Sequence, residues 1–320
     1  MSSTSLPEAL AARRYLSWHD LIRARHGGRV QKISVAAGFT CPNRDGSKGR
    51  GGCSFCNNQG FIPGYLRETG NDIELQINTG MGFLKRRYPE TQRWLAYFQA
   101  YSNTYGEIEQ LKAAYRQALV HPDISGLVIG TRPDCVPDEL LDYLAELAQE
   151  YIIELEFGIE STTDAALARV NRGHDFACTT DAIRRAAARG LTVSGHLIFG
   201  LPGESRDEML AGAARLSALP LNSLKLHQLQ IVKGTQLANE WRKAPGSIPL
   251  LGGHEYLELL ADFLELLRPD IAIQRVGSEV PPALRLAPDW SVRLSQLAPL
   301  LTETLVKRDS WQGKKWQENA

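Results

Sequence analysis

The chain has 320 residues, 43% of them apolar, and 36 basic residues balance 36 acidic ones. That length holds one large domain or two with a substantial core, and the balanced charge excludes a global field that would draw in nucleic acid, so a polyanion has to be met by a local patch. Residues 1–7 are polar and no stretch reaches eighteen uninterrupted apolar residues, so neither a signal peptide nor a membrane span is expected; five cysteines in a chain this long fit thiolates held in a reducing cytoplasm better than a disulfide framework.

Residues 1–28 read as a helical lead-in, with Leu10, Tyr15, Trp18, Leu21 and Ile22 loosely periodic and Gly27-Gly28 ending the run. Residues 32–36 read as a first strand, which feeds directly into a loop from Phe39 to Phe61. That loop carries Cys41, Cys53 and Cys56 as C-x11-C-x2-C, and Gly46, Gly49, Gly51 and Gly52 let it fold back on itself. Beyond it the pattern alternates. Helices are expected over 72–88, 108–119, 137–150, 163–170, 179–188 and 204–219, and strands over 94–101, 126–129, 151–157, 191–199 and 223–231.

Six strands joined by helices require parallel pairing, in a doubly wound sheet or an incomplete barrel. The unusual residues bear on that choice. Segments 41–56, 102–106, 131–134, 158–161 and 200–204, together with His227, all fall at strand C-terminal ends. A site that draws on almost every strand favours an α/β partial (β/α)6 barrel of the TIM type over 32–231. Residues 1–31 are then the lead-in, and 232–320 an extension covering the barrel. That extension contains a Pro/Gly-rich connection at 244–253, a helix at 255–267, a strand-like run from Asp270, a helix at 290–305 and a basic, Trp-bearing tail.

Three thiolates on one loop suit two centres. Structural zinc takes four protein ligands, and Cys135 or a histidine would have to complete the set. A cube of four irons takes three thiolates and leaves one iron for an exogenous ligand. Cys135 and Cys178 are isolated and read as buried packing. Lys225 and His227 share a face of the sixth strand, either reaching the barrel interior or forming a structural pair.

The segment Cys53-Ser54-Phe55-Cys56, with Cys41 before it, resembles the radical S-adenosylmethionine (SAM) enzymes. The eleven-residue gap resembles the branch containing the elongator catalytic subunit. The T-R-P-D at Thr131–Asp134 and the N-R-G-H at Asn171–His174 resemble that branch as well. The segment 154–161 is similar to its fourth strand and to that of oxygen-independent coproporphyrinogen oxidases, and 196–204 to its fifth. The resemblance implies a [4Fe-4S] cluster on Cys41, Cys53 and Cys56, with SAM on its open iron. For SAM it implies contacts from Phe55, Ser102, Asn103, Arg132, Glu160, Arg172, His196 and Gly200. In this pattern Glu160 reaches the ribose, Arg172 pairs with the carboxylate through its planar fork, and the segment from His196 to Gly200 cradles the adenine. Glu160 stands where relatives often carry Gln, His196 replaces the acidic residue of the coproporphyrinogen oxidases, and S-N-T-Y departs from the glycine-rich segment usual at Ser102-Asn103.

The same resemblance implies an enzyme that cleaves SAM reductively to a 5′-deoxyadenosyl radical, supplied with electrons by a reducing partner such as flavodoxin or ferredoxin. The elongator branch implies wobble uridine of transfer RNA (tRNA) as substrate, without the acetyltransferase domain. Candidate RNA contacts are Lys85, Arg86 and Arg87, then Arg13, Arg14, Arg23 and Arg25, then Lys307, Arg308, Trp311, Lys314, Lys315 and Trp316. A small metabolite or tetrapyrrole as substrate, or a zinc-stabilised binding module, remain as alternatives. No residue is singled out for chemistry on the substrate.

Overall fold

The computed structural model describes residues 6–60, 62–290 and 292–318; what the sequence analysis expects of residues 1–5, 61, 291 and 319–320 lies outside the described residues. The strands are β1 (Arg29–Val35), β2 (Thr91–Phe98), β3 (Ile124–Thr131), β4 (Ile152–Glu160), β5 (Thr192–Phe199), β6 (Ser223–Gln228), β7 (Ile231–Val232), β8 (Ala272–Arg275) and β9 (Arg285–Ala287). The helices are α1 (Trp18–His26), α2 (Pro42–Asp45), α3 (Ile73–Lys85), α4 (Ile108–Leu119), α5 (Asp138–Leu147), α6 (Asp164–Arg169), α7 (Phe176–Ala188), α8 (Arg206–Ser217), α9 (Gln236–Lys243), α10 (Gly253–Leu266) and α11 (Leu294–Lys307).

Seven strands form one parallel sheet in the order β1-β2-β3-β4-β5-β6-β8. Each strand lies beside its successor, with no reversal of order as in a doubly wound sheet, so the sheet curls one way into a half-barrel. The partial barrel expected from the sequence is therefore present, and β8 adds a seventh strand to the six counted there. A short antiparallel pair, β7 with β9, lies apart from the main sheet. Among the described residues no helix is long and apolar enough to cross a membrane.

Apolar faces explain the layering. Ile33, Ala96, Phe98, Leu127, Ile129, Leu155 and Phe157 of the strands are fully buried against Ile77, Leu111, Tyr115, Leu141, Ile183 and Ala213 of the helices. The lead-in closes part of the opening. Leu16 accepts a backbone hydrogen bond from Ile273 of β8 at 2.7 Å, and Lys32 of β1 reaches Gln274 of β8 at 2.9 Å. The basic tail is packed down: Arg308 pairs with Glu258 and Asp262, Lys315 pairs with Glu265, and Trp311 is buried.

One buried side chain sets how the chain leaves β1 for the cysteine loop. Gln76 of α3 accepts from the Ala36 N–H at 2.7 Å and donates to the carbonyls of Ala36 at 2.9 Å and Gly70 at 2.6 Å. Replacing it strands those backbone groups without partners in a dry place. Gln76→Leu should therefore lower unfolding stability by about 2–3 kcal/mol in urea denaturation, and a loss under about 0.5 kcal/mol would show that these bonds do not hold the loop.

Candidate active site

The cysteine loop is fixed to its neighbours through backbone bonds. Gly52 N–H donates to Asn43 O at 2.8 Å, Ser54 N–H to Val170 O at 2.9 Å, and Leu237 N–H of α9 to Ser54 O at 2.9 Å. The αL turns at Gly51 and Gly52, with φ of 87° and 85°, bring the second and third cysteines back toward the first. Cys41, Cys53 and Cys56 then line one cavity of about 210 Å³ at the C-terminal ends of the strands. All three are free thiols.

Cys53 is buried among donors. Arg172 Nη1 stands 3.5 Å from its sulfur, Asn43 Nδ2 3.6 Å and Arg132 Nη1 4.0 Å. Burial, with Cys53 adding to it, pushes the Cys56 thiol up to about 11, against the pull of Arg44. A bound metal cation is what would make such a sulfur an anion. Among the described residues no three His, Cys, Asp or Glu side chains group closely enough to hold a single metal ion. A cube gives each thiolate its own iron, so its ligands need not converge on one point, whereas a tetrahedral zinc centre requires that they do.

Opposite the cysteines stand the strand-end residues. Glu160 closes β4 with φ of 66°, a left-handed conformation that side chains avoid, and the β4–β5 register slips at Gly158/Glu160. That turn sets its carboxylate 3.5 Å from Arg172 Nη2. Arg172 also donates to the Gly158 carbonyl, and a Cβ on Gly158 would stand 2.6 Å from both Arg172 Nη2 and Glu160 Oε1, so a side chain there would push this pair aside. Burial pushes the Glu160 carboxyl up, with Arg172 and Arg132 pulling it back, and its Oε2 has no hydrogen-bond partner. Burial opposes charge on Arg172, yet Cys53 and Glu160 hold it protonated.

Arg132 grips Asp134 with both branches of its fork, at 2.8 and 2.9 Å, and Lys48 adds a bond of 2.6 Å. Burial alone would raise Asp134; these partners outweigh it and hold the carboxylate well below the usual range. The helix start near Thr163 needs nothing from Glu160, because Ser161 Oγ accepts the Thr163 N–H at 2.9 Å.

Phe55, Ser102, Arg132, Glu160, Arg172 and His196 all line the cavity with the cysteines, and the Ser102 hydroxyl is buried without a partner. Two expected contacts stand elsewhere. Asn103 turns its amide to the carbonyls of Phe98 at 3.1 Å and Gly130 at 2.8 Å, and Gly200 is met by Met209 and Leu251. Sequence reasoning missed Asn43, whose amide also holds the carbonyls of Asn171 at 2.7 Å and Arg172 at 3.0 Å. It also missed Tyr97, Glu156 and Arg275, which line the same cavity from β2, β4 and β8. Only their alternation along a strand could have signalled an inward face.

The Radical SAM superfamily model matches residues 41–214, and the Radical_SAM C-terminal domain matches residues 221–304. The chain belongs to the Radical SAM superfamily. It is an enzyme, and the cofactors of its family are a [4Fe-4S] cluster and SAM. It is 32% identical over 317 residues to the uncharacterized protein YtqA of Bacillus subtilis (strain 168), covering 99% of this chain and 97% of that one. A tRNA uridine(34) acetyltransferase of Dehalococcoides mccartyi (strain CBDB1) is 27% identical over 215 residues, covering 66% of this chain and 43% of its own. The archaeal Methanocaldococcus infernus Elp3 with N-terminus deletion shares the fold, with a TM-score of 0.67 at 18% identity over 88% of this chain. This chain covers 64% of that one.

The donor set fits the cluster: three thiolates line one cavity, and among the described residues no His, Cys, Asp or Glu groups with them to close a single-metal site. The partnerless Ser102 hydroxyl and Glu160 oxygen, buried in the same cavity, fit a polar cofactor beside it.

Buried histidines contribute the first part of the acid limb of stability, before the carboxylates Asp134 and Glu156, held well below their usual range, begin to protonate. Burial holds His196 down at about 3 and His174 at about 4, so both are neutral in the folded chain, while the unfolded chain protonates them near about 6.5. The unfolded state therefore binds more protons as pH falls through 6.5 toward 3, and stability is lost over that window. The urea midpoint should drop between pH 7 and about 5, more shallowly in His196→Gln; an identical slope in the variant would remove His196 from the account.

Proposed function

We propose that this radical SAM enzyme acts on tRNA at a uridine, with Cys41, Cys53 and Cys56 as the cluster ligands. Held by these three thiolates, a reduced [4Fe-4S] cluster would supply the electron for reductive cleavage of bound SAM. The chain's own residues bind and orient. Arg172 and Arg132 would steady the thiolate of Cys53, Glu160 would take the ribose hydroxyls, Arg172 the methionyl carboxylate and His196 the adenine edge. Phe55 would shield the cluster side from water. Because Arg275 of β8 and the 234–239 stretch also border this space, the working unit spans the 32–231 barrel and part of the 232–320 extension.

One observation carries the substrate reading. The cavity mouth opens into a vestibule lined by Arg44, Asn58, Tyr101, Thr235, Gln236 and Asn239, which reaches Cys53 and Cys56. Tyr101 is 40% exposed, held at φ of 66°, and Arg44 stacks over its ring at 5.9 Å. An exposed ring beside a guanidinium is a platform for an unstacked base, and amides around it suit base edges. The likeness to a tRNA uridine(34) acetyltransferase supports the same reading.

The basic residues named from the sequence lie elsewhere. Arg23 and Arg25 end α1 just before β1, and Arg86 and Arg87 precede β2, at the N-terminal end of the barrel, away from the cavity. In the tail, Arg308 and Lys315 are taken up in ion pairs and Trp311 in packing. The RNA contact is therefore assigned to the mouth.

After anaerobic reconstitution and reduction with dithionite, wild-type protein should form 5′-deoxyadenosine, and Cys56→Ala should form none while losing iron. Undiminished product from that variant would refute the ligand assignment. Tyr101→Ala should weaken tRNA binding on the order of 10-fold, from about 1–3 kcal/mol per stacked base. Unaltered binding, or a nucleoside profile of a deletion strain that added wild-type protein leaves unrestored, would count against tRNA as substrate.

A further inference from the structure

The cavity continues past the cysteines to a side where Tyr97 of β2, Glu156 of β4, Lys225 and His227 of β6 and Arg275 of β8 face it. No role assigned above uses these five. Three of them close on one another. Lys225 pairs with Glu156 and bonds the Tyr97 hydroxyl at 3.1 Å, and that hydroxyl donates to Glu156 at 2.5 Å. A buried charged trio is no better for stability than apolar packing of the same volume, so it marks a wall that faces something polar.

Beside the trio the bonding is incomplete. His227 is 7% exposed, meets His196 edge to face at 4.2 Å, and its Nε2 is buried with no hydrogen-bond partner. Arg275 stands in register with Lys225 on the neighbouring strand. Every other cation of the cavity has an acceptor: Arg44 the Cys56 carbonyl, Arg132 Asp134, Arg172 the Gly158 carbonyl and Lys225 Glu156. Arg275 is exposed at the edge of the cavity, and among the described residues none accepts from it, although its charge is felt at Tyr97, Lys225, His196 and His227. The excess of donors is therefore local, on the side away from the cysteines.

We propose that this end of the cavity is a subsite for an anionic oxygen group, a carboxylate or a phosphate, of the molecule acted on, held by the fork of Arg275 and by His227 Nε2–H. It rests on the reading of the cavity as the place of radical chemistry on a second molecule. Arg172 lies on the cysteine side and is taken by Cys53, Gly158 and Glu160, which leaves Arg275 and His227 for that molecule. Carboxylate and phosphate present a similar oxygen edge to a guanidinium, and the experiment separates them.

Reconstituted protein saturated with SAM is titrated calorimetrically with acetate, malonate or inorganic phosphate at fixed ionic strength, and 5′-deoxyadenosine is measured on the same preparation. Saturable binding of a carboxylate or of phosphate is expected, weakened about 10-fold or more in Arg275→Gln and His227→Gln, with Arg275→Lys between because it keeps the charge and loses the fork. Each variant is first checked for an unchanged unfolding midpoint. Equal binding by wild type and Arg275→Gln would mean an adventitious site and overturn the subsite. Protein that forms 5′-deoxyadenosine yet binds no probe overturns the subsite alone, whereas probe binding by protein that never forms it supports the subsite and overturns the radical reading.

Discussion

The guanidinium of Arg172 ties the site together. It is only 6% exposed, and a buried cation must find acceptors or be expelled. Its acceptors come from segments far apart in sequence: the Cys53 sulfur, the Gly158 carbonyl and the Glu160 carboxylate. Its own backbone is held through Asn43, the second residue after Cys41. A loop with little regular structure is thereby joined to the rigid end of β4 by directed bonds. Apolar packing could not aim it, because packing sets distance without setting direction. The same tie explains two local oddities, a glycine at 158 that leaves room for the guanidinium and a left-handed Glu160 that brings a carboxylate to it.

The barrel interior follows from its incompleteness. In a closed eight-stranded barrel, layers of branched apolar side chains fill the centre. Seven strands leave a gap between β1 and β8, and polar groups fill the space. Lys32, Glu154 and Gln274 bridge that gap within hydrogen-bond distance of one another, and Tyr97, Glu156 and Lys225 form the layer next to it. Burial lowers Lys225 to about 8 against the pull of Glu156, while Glu156, with Lys225 and Lys32 beside it, is held far below its usual range. Such a network contributes little net stability. Its effect is to line an open cavity with polar groups where apolar side chains would have filled the space.

The strands and most helices were legible because their apolar periods are strong: α4 has the bounds its periodicity predicts, and β2, β3 and β5 lie within three residues of theirs. Helix α9, Q-L-A-N-E-W-R-K, buries only Leu237 and Ala238 and offered no apolar stripe to read. The cysteine trio was legible as chemistry, since residue type and spacing suffice for thiolates. Asn43, Gly158 and Arg275 were not, because what each does depends on a partner more than a hundred residues away in the first case, on the room a neighbour needs in the second, and on strand register in the third. Composition marks the charge of the basic tail without its partners, such as the acidic side chains of α10 that Arg308 pairs with.

Balanced pairing also accounts for a chain with no net charge that handles charged groups. Along the cavity wall nearly every cation stands against an acceptor of its own, so the far field cancels and a ligand is not steered in from a distance. Selection then falls to contact: an exposed ring and guanidinium at the mouth, three sulfurs along the wall, and one buried imidazole nitrogen without a partner at His227. The interactions that discriminate most are those deepest from water, where an unmatched donor costs more than at the rim.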